Sequence, residues 1–352
     1  MCLYPTIIKN PKYKESKKNK GIIPQMKDAR VGAIPIGCGM CIECMKQKAN
    51  NWRIRLTEDI KEHKNARFIT LTYSNEEYTK LKEEIQQKNK DVKGYTLDNA
   101  IATLSVRRFL ERWRKKHKKS VRHWLITELG QEGTEHLHLH GIIYTDDVNE
   151  IEKRWQYGYV WKGKIVNNKI INYVNEKTIN YITKYLTKKD FKHKYYKPVV
   201  LCSPGIGSNY TKSYDFKQRN KFSGKQTDET YRNSKGFKLA LPIYYRNKAY
   251  NEDQREDLWI KKLDEGVRYI NGQKVKEEDT ETYYKILKWE REKNRELGYG
   301  SPRDWNAIKY EQERRKLKQQ ERYRKTSTPT RVDGLPSAQG SRGASKSKKS
   351  IP

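Results

Sequence analysis

The sequence lacks any long hydrophobic stretch. None of its apolar runs approaches the roughly 20 residues that a membrane-spanning helix needs. Its opening residues, MCLYPTIIKNPKYKESKKNKG, contain neither the apolar segment nor the cleavage site of a signal peptide. These two absences argue against a membrane partner and predict that the protein works in the cytoplasm.

Hydrophobic and acidic residues are both scarce. Only 34% of the 352 residues are hydrophobic, so we expect a folded domain of modest size with polar additions. Lys and Arg number 76 against 43 Asp and Glu, which gives a formal net charge of +33 and favours a polyanionic partner. The 25 tyrosines and 8 tryptophans supply rings that can stack on unpaired bases. Single-stranded nucleic acid is therefore the expected ligand.

Cysteine is also rare, with five in the chain, yet three of them are closely spaced. Cys38, Cys41 and Cys44 form the pattern Cys-x-x-Cys-x-x-Cys. In a cytoplasmic protein this spacing favours a metal over disulfides. A fourth ligand, Cys2 or a histidine, would complete a tetrahedral zinc site. The alternative is a set of reduced cysteines at a turn before a helix, and the sequence leaves both open.

Hydrophobic periodicity predicts an α+β fold with an antiparallel sheet and flanking helices. Helices are predicted at residues 45–63, 96–118, 149–156 and 175–188, and strands at residues 67–74, 123–129, 136–144 and 159–166. The linker GQEGTE carries turn residues, so the second and third strands are predicted to form a hairpin. Residues 201–250 are predicted to form short strands and loops.

Composition divides the chain into four predicted regions. Residues 1–45 form a basic arm that carries the cysteine cluster, and residues 46–250 form the main folded domain. Residues 251–325 are predicted to be a basic, highly charged helical extension, in which Trp259, Leu263 and Val267 make one apolar stripe. Residues 326–352 are rich in Ser, Gly, Pro and Lys, which predicts a disordered tail.

Three of the seven histidines occupy alternate positions in EHLHLHGIIY, residues 135–144. Alternate side chains of a strand share a face, so His136, His138 and His140 point one way and the intervening leucines the other. Neutral imidazoles side by side are a ready metal site. If Glu128 pairs with His138 in the hairpin, its carboxylate joins that face, whereas a one-residue slip moves it to the leucine side. Such a set leaves positions on Mg²⁺ or Mn²⁺ open for phosphate oxygens.

A predicted helix supplies candidate nucleophiles for a metal-bound phosphate. In NEKTINYITKYLTKKD, Tyr181 and Tyr185 are one turn apart at the edge of the apolar stripe, and Lys184 and Lys188 lie on the polar side. Phenols are scarcely ionised at pH 7, so the lysines would lower the tyrosine pKa or a metal would activate the phosphate. The alternative is two half-buried tyrosines on an amphipathic helix.

Together these features resemble the HUH endonuclease superfamily, and within it the replication initiation proteins of gokushovirus-like Microviridae, which are single-stranded-DNA phages. CGMCIECMKQKANNWRIRL resembles the Cys-rich opening of that branch, ELGQEGTEHLHLHGIIY its metal motif and YITKYLTK its two-tyrosine motif. The likeness covers residues 1 to about 250. It implies that residues 46–250 form an HUH endonuclease domain around a central antiparallel sheet.

The resemblance assigns metal ligands by position. His138 and His140 match the histidine pair of the motif, and Glu128 matches an acidic position. His136 is an additional histidine, because that branch commonly has Arg or another residue there. Met45 likewise stands where Arg is expected. The implied cofactor is Mg²⁺ or Mn²⁺, with zinc a candidate at the cysteine cluster.

The resemblance also implies a reaction, rolling-circle replication, with Tyr181 and Tyr185 as paired nucleophiles. One tyrosine attacks a phosphate at the viral-strand origin and leaves a 3′-hydroxyl for the host polymerase and a 5′-phosphotyrosine on the protein. The second later cleaves the regenerated origin, and the freed 3′-hydroxyl attacks the first phosphotyrosine to release a circle. The chain has no GxxxxGK[ST] motif, so a host helicase would unwind the duplex in the cytoplasm of a bacterial cell.

Two other interpretations remain open at this point. A plasmid relaxase or a transposase would share the chemistry, although relaxases usually carry a helicase or a long mobilisation domain that this sequence lacks. A non-catalytic, zinc-containing nucleic-acid-binding protein would use the cysteines for structure and pack the tyrosines in its core.

Overall fold

The computed structural model describes residues 2–130, 135–188, 193, 196–276 and 278–300. The helices are α1 (Ile42–Glu62), α2 (Asn75–Lys88), α3 (Gly94–His117), α4 (Asn149–Arg154), α5 (Glu176–Thr187), α6 (Tyr214–Arg219), α7 (Ile243–Ala249), α8 (Glu252–Asp264) and α9 (Thr280–Glu296). The strands are β1 (Thr6–Lys9), β2 (Ala33–Ile36), β3 (Ala66–Thr72), β4 (His123–Leu129), β5 (Leu137–Tyr144), β6 (Val160–Trp161), β7 (Lys164–Val166), β8 (Lys169–Ile171), β9 (Val200–Cys202), β10 (Thr230–Arg232), β11 (Lys238–Ala240), β12 (Val267–Ile270) and β13 (Gln273–Lys276). The predicted tail and residues 301–325 of the predicted extension lie outside the described residues. In the described part of the chain, no helix is both long and apolar enough to cross a membrane.

A five-stranded antiparallel sheet with the order β6-β3-β5-β4-β9 forms the centre of the fold. Strands β4 and β5 make the predicted hairpin, and its register places Glu128 opposite His138. Strand β3 lies on the other side of β5, with Thr70 opposite His140. The predicted α+β class with a central antiparallel sheet is confirmed. The register also places Glu128 on the histidine face, since cross-strand partners point to the same side.

Helices cover both faces of this sheet. Helices α2, α3 and α4 pack on the face that carries Leu137 and Leu139, both fully buried. Helices α1 and α5 cover the opposite face, where the shared core includes Leu56, Trp124, Ile126, Ile142, Ile179, Ile182 and Leu186. His138 and His140 lie on this second face, because alternate residues of β5 point the same way as Ile142.

Helix α5 begins where the sequence predicts it. The side chain of Asn175 accepts a hydrogen bond from the backbone N–H of Thr178 at 3.0 Å, and the Thr178 hydroxyl accepts one from the Asn175 N–H at 3.4 Å. This reciprocal cap fixes the first turn of the helix. Burial of Ile182 and Leu186 then fixes its rotation, so the tyrosines lie at the edge of the apolar stripe, as predicted.

The structure contains elements that the sequence patterns did not predict. Helix α2 was missed because it buries a single residue, Leu81, and is otherwise polar, although Ser74 caps it by accepting from the Glu77 N–H at 3.2 Å. The predicted strand over residues 159–166 is divided into β6 and β7 at Gly163, whose φ of +133° suits glycine. Helices α6 and α7 lie where only short strands and loops were expected.

One prediction in the extension is wrong. Trp259, Leu263 and Val267 do not share a helix, because α8 ends at Asp264 and Val267 begins the hairpin of β12 and β13. Gly266, with a φ of +57°, makes the turn between them. The described part of the extension is therefore helix, hairpin, helix.

The chain termini of the described region pack against each other and against α5. Leu3 is buried with residues of the β12–β13 hairpin and α9. Asn294, fully buried in α9, accepts the Ile42 N–H at the start of α1 and donates to the Tyr299 carbonyl, both at 2.9 Å. The Tyr299 hydroxyl donates to the carbonyl of Thr187, the last residue of α5, at 2.7 Å. Helix α9 therefore contacts the beginning of α1, and the residues just after it contact the end of α5.

Gly141, in β5, has no room for a side chain. A Cβ there would lie 2.1 Å from the Trp124 carbonyl oxygen and 2.8 Å from the Cα of Leu125. We expect Gly141→Ala to lower the free energy of unfolding by about 3 kcal/mol, because backbone atoms of the hairpin must move. Gly130→Ala is the control, since its Cβ would meet nothing closer than 3.4 Å. Urea unfolding of the two variants measures the difference, and equal stabilities would contradict this account.

Candidate active site and metal centre

A cavity of about 670 Å³ opens on the second face of the sheet, beside α5. Its volume is within the range of about 300–1,000 Å³ that is usual for ligand sites. Five of the residues predicted from sequence line it: Glu128, His138, His140, Tyr181 and Lys188. Sheet and helix therefore contribute to one cavity, as the sequence predicted.

Glu128 contacts two other polar residues of this cavity, His140 and Lys188. Its Oε2 lies 2.7 Å from His140 Nε2, and its Oε1 accepts a hydrogen bond from Lys188 Nζ at 2.6 Å. Burial opposes ionisation of this carboxyl group, but the hydrogen bonds from His140 and Lys188 outweigh it and lower the pKa of Glu128. The carboxylate is therefore negatively charged at neutral pH.

Both histidines of β5 line the cavity, and contacts at both ring nitrogens fix the orientation of His140. Thr70 Oγ1 lies 3.0 Å from His140 Nδ1, which turns Nε2 towards Glu128. Burial, followed by the proximity of His140, lowers the pKa of His138 and keeps that ring neutral. A neutral imidazole has a lone pair to give to a metal ion.

One tyrosine of α5, Tyr185, contacts a histidine directly, and the other, Tyr181, contacts Tyr185. The Tyr185 ring stacks on the His140 ring, with the centroids 4.4 Å apart and the planes 1° from parallel. The Tyr185 hydroxyl donates to the Tyr181 hydroxyl at 2.9 Å. Burial raises the pKa of Tyr185, so this phenol is protonated. Tyr181 is 50% exposed and faces the cavity.

Three residues predicted for this site lie outside the cavity lining. One is Tyr185, which contacts the lining residues His140 and Tyr181. His136 precedes β5, and its carbonyl accepts the N–H of Gly130 at 2.9 Å. Lys184 is exposed on α5, one turn before Lys188. Neither side chain lines the cavity, so a role for either one stays a prediction.

Aromatic residues that sequence reasoning missed form one wall of the cavity. Phe68, Tyr159 and Trp161 all line it. The Phe68 ring meets the rings of Trp161 and Tyr181 edge to face, with centroid distances of 5.4 Å and 6.0 Å. Tyr159 is 65% exposed. Rings in this arrangement offer stacking surfaces to unpaired bases.

The cavity contains the types of ligand atom that bind divalent cations. Glu128 offers a carboxylate, and His138 and His140 offer imidazoles, a set found at Mn²⁺ sites and at open catalytic sites. Neighbouring ligands at about 2.0–2.1 Å from a Mg²⁺ ion are about 3 Å apart. The 2.7 Å contact between Glu128 and His140 therefore needs little widening. The donor atoms of all three residues do not come within 4.8 Å of one another, so closure around an ion requires His138 to approach.

The cysteines form a second candidate metal centre. The sulfur atoms of Cys2, Cys38, Cys41 and Cys44 all lie within 4.8 Å of one another. In the part of the chain that the structure describes, these four cysteines are the one group of potential metal ligands whose donor atoms all lie this close together. Cys2 is thus the fourth ligand that the sequence left open between itself and a histidine. Four sulfur ligands are typical of structural zinc.

Backbone groups around the cluster support this interpretation. The N–H groups of Met40 and Cys41 point to Cys38 Sγ at 3.4 Å and 3.3 Å, and the Cys38 N–H points to Cys2 Sγ at 3.1 Å. Hydrogen bonds with the side chains of Cys41 and Cys44 lower the pKa of Cys38. Such donors stabilise negative sulfur and orient it towards a metal. The cluster can therefore bind a metal ion such as zinc.

The part of the chain that forms the cavity is similar to known replication proteins. Residues 66–190 match a family model of replication-associated proteins, the one named for the ORF2 and gene-2 proteins. This is a family of rolling-circle replication proteins. The match covers about a third of the chain, from the first residue of β3 to just beyond α5, and includes Glu128, both histidines of β5 and both tyrosines. No curated protein and no solved structure matches the chain.

Proposed function

We propose that the protein initiates rolling-circle replication by cutting a DNA strand with a tyrosine of α5 and holding the new end covalently. The observation that carries the proposal is the stacking of Tyr185 on His140 and its hydrogen bond to Tyr181, because His140 and Tyr181 line one cavity with Glu128. The family match over the same residues gives the reaction its setting in DNA replication. The fold, a central antiparallel sheet with flanking helices, is compatible with an HUH endonuclease.

In the proposed reaction, a tyrosine oxygen attacks the phosphorus of one phosphodiester. The bond between phosphorus and the 3′-oxygen breaks as the new bond forms, and the phenol proton is transferred to solvent while the departing oxygen gains one. The products are a free 3′-hydroxyl and a 5′-phosphotyrosine. Since the energy of the broken bond is kept in the ester, no nucleotide cofactor is required.

The residues of the cavity have separate tasks in this reaction. Glu128, His138 and His140 would hold Mg²⁺ or Mn²⁺, which supplies positive charge to a phosphate oxygen. Lys188 Nζ lies 5.5 Å from the centroid of the Tyr185 ring, so its charge favours the phenolate that develops during attack. Stacking on His140 keeps the Tyr185 oxygen next to the Tyr181 hydroxyl of the cavity lining, while the pKa of Tyr185 remains high.

Two tyrosines allow a second transfer at the same site. Tyr181 and Tyr185 are one helical turn apart and their hydroxyl oxygens are 2.9 Å apart, so either oxygen can approach one bound phosphate. After one round of synthesis the free tyrosine would cut the regenerated origin. The released 3′-hydroxyl would then attack the first phosphotyrosine, restore the tyrosine and close a DNA circle.

The proposal extends to partners and location. The substrate is the single-stranded origin of a small DNA replicon, and we propose a gokushovirus-like member of the Microviridae in the cytoplasm of a bacterial host. A host DNA polymerase would extend the 3′-hydroxyl. A host helicase would unwind the duplex, which is consistent with a sequence that lacks a GxxxxGK[ST] motif.

A gel assay tests the proposed function. The full chain is mixed with Mn²⁺ and with labelled single-stranded oligonucleotides that tile the replicon encoding it. We expect one oligonucleotide to give an adduct that resists SDS and does not form when EDTA is present during the reaction. Mass spectrometry should map it to the peptide containing Tyr181 and Tyr185. An adduct on a different residue, or none on any tile, would contradict the proposal.

A hydroxyl behind the metal ligands gives a second test. Thr70→Val removes the contact to His140 Nδ1, so we expect Mn²⁺ affinity to fall by about ten- to a hundredfold. Thr72→Val is the matched control: Thr72 also lines the cavity, but its hydroxyl bonds to the backbone of Tyr159. Isothermal titration with Mn²⁺ measures both variants. An equal loss of affinity in both would argue against this role for Thr70.

A further inference from the structure

A second cavity, of about 390 Å³, lies between α1, α5 and the hairpin of β10 and β11. Arg53 and Thr57 line it from α1, Asn180 from α5, and Lys235 and Phe237 from the hairpin. The cutting reaction proposed above uses none of these residues. The volume is nevertheless large enough for a small ligand.

The hairpin presents an aromatic ring on a rigid turn. Phe237 is 65% exposed, although it lines the cavity. The side-chain oxygen of Asn233 accepts the N–H groups of Lys235 at 3.1 Å and Phe237 at 2.8 Å, and the Asn233 N–H donates to the Phe237 carbonyl at 3.1 Å. Ser234 Oγ lies 3.2 Å from Glu176 Oε1 and ties the turn to α5. The backbone that carries the ring is therefore fixed by hydrogen bonds, while most of the side chain stays exposed to a ligand.

Amides and cations surround this ring. Arg53 donates to Asn50 Oδ1 at 2.6 Å, and within the described chain it forms no ion pair. The side-chain amide of Asn180 is exposed and makes no hydrogen bond to another described residue. The carboxylate of Glu176 is the acidic group of the lining. An exposed ring, a free amide group and neighbouring cations are the combination that binds an unpaired base and its phosphate.

Helix geometry connects the two cavities. Tyr181 lines the first cavity and Asn180 the second, and consecutive helical residues point about 100° apart. Lys177 and Lys184 lie between those directions, and both are exposed. A DNA strand that leaves the first cavity over this ridge would meet two ammonium groups before it reaches the second.

We propose that the second cavity binds an unpaired nucleobase of the strand being cut, a few nucleotides from the cut bond. Phe237 stacks on the base, and Asn180 contacts its edge. Lys177 and Lys184 contact the phosphates between the two cavities, which gives Lys184 a task in DNA binding rather than at the reacting phosphate. The identity of the strand rests on the proposed function, whereas binding of a base does not.

The test measures DNA binding without cutting. The full chain carrying Tyr181→Phe and Tyr185→Phe is titrated against a fluorescent oligothymidylate and against an abasic oligomer of equal length and charge. Adding Phe237→Ala should weaken binding to oligothymidylate about tenfold, because stacking contributes roughly 1–3 kcal/mol per base. Binding to the abasic oligomer should not change, and Phe237→Tyr should restore the affinity for oligothymidylate.

Two further variants separate this role from general effects. Tyr214→Ala removes another exposed ring, one that does not line the second cavity, and should leave both affinities unchanged. Replacing Lys177 and Lys184 by Gln should weaken binding to both oligomers and reduce the salt dependence by about 1.4 released ions, because each phosphate contact to a single strand releases about 0.7 ion.

Unequal outcomes distinguish the two proposals. Phe237→Ala refutes the base-binding site if it leaves the affinity for oligothymidylate unchanged, or if it lowers the affinity for both oligomers equally. This holds whatever the cutting assay shows. A different result is that Phe237→Ala lowers only the affinity for oligothymidylate, while the parent protein forms no DNA adduct. Base binding in the second cavity is then supported, and the proposed function is refuted.

Discussion

Changing both Tyr181 and Tyr185 to phenylalanine will abolish formation of the covalent DNA adduct. Their hydroxyl oxygens are the proposed nucleophiles beside His140, and the rings otherwise keep their packing. We expect the yield to fall by at least about a thousandfold, as is usual when a nucleophile is removed. Denaturing gels with end-labelled substrate measure the effect.

The single variants divide the reaction into its two halves. Tyr181→Phe and Tyr185→Phe each keep one phenol, so each should cut a strand but fail to complete the transfer that releases a circle. Tyr173→Phe is the matched control, because this tyrosine is 67% exposed just before α5 and does not line the cavity. Adduct formation by the double variant at the parent rate would refute the assignment of the nucleophiles.

Loss of the cysteine cluster will remove a bound zinc ion. The protein purified without chelators should contain about one zinc ion per chain, and Cys41→Ser should lower that content to near zero, because Cys41 is the buried member of the quartet. The free energy of unfolding should fall by several kcal/mol, since metal binding and folding are coupled. Elemental analysis and urea unfolding provide the two measurements.

Cys202→Ser is the control for this prediction. Cys202 is the fifth cysteine, lies in β9 and takes no part in the quartet. Its replacement should leave the zinc content at the parent level. A parent protein free of zinc, or a Cys41→Ser variant that still contains it, would show that the cluster is a set of reduced cysteines.

Much of the site could be predicted because its signals are local. Alternation over residues 136–144 defines the two faces of β5, and the short linker before it predicts the hairpin. The sequence left the register open, and the structure pairs Glu128 with His138. Apolar spacing around Ile182 and the cap at Asn175 define the rotation of α5. Each inference needs only neighbours in sequence, where periodicity is informative.

The missing parts depend on contacts between distant residues. Thr70 supports His140 only because β3 pairs with β5, and nothing in the alternating pattern of β3 specifies which strand lies beside it. The second cavity likewise draws on α1, α5 and a hairpin that are separated along the chain. Val267 was assigned to a helix because its spacing from Leu263 fits one, whereas Gly266 directs the chain into a strand.

The hydroxyl of Tyr299 has a practical consequence. It donates a hydrogen bond to a backbone carbonyl at the end of α5, while Asn294 accepts one from a backbone N–H at the start of α1. A truncated protein that stops after α7 would leave both backbone groups without these partners and would uncover Leu3 beside the cysteines. The shortest fragment fit for biochemical work should therefore extend to residue 300, even though every candidate catalytic side chain lies before residue 190.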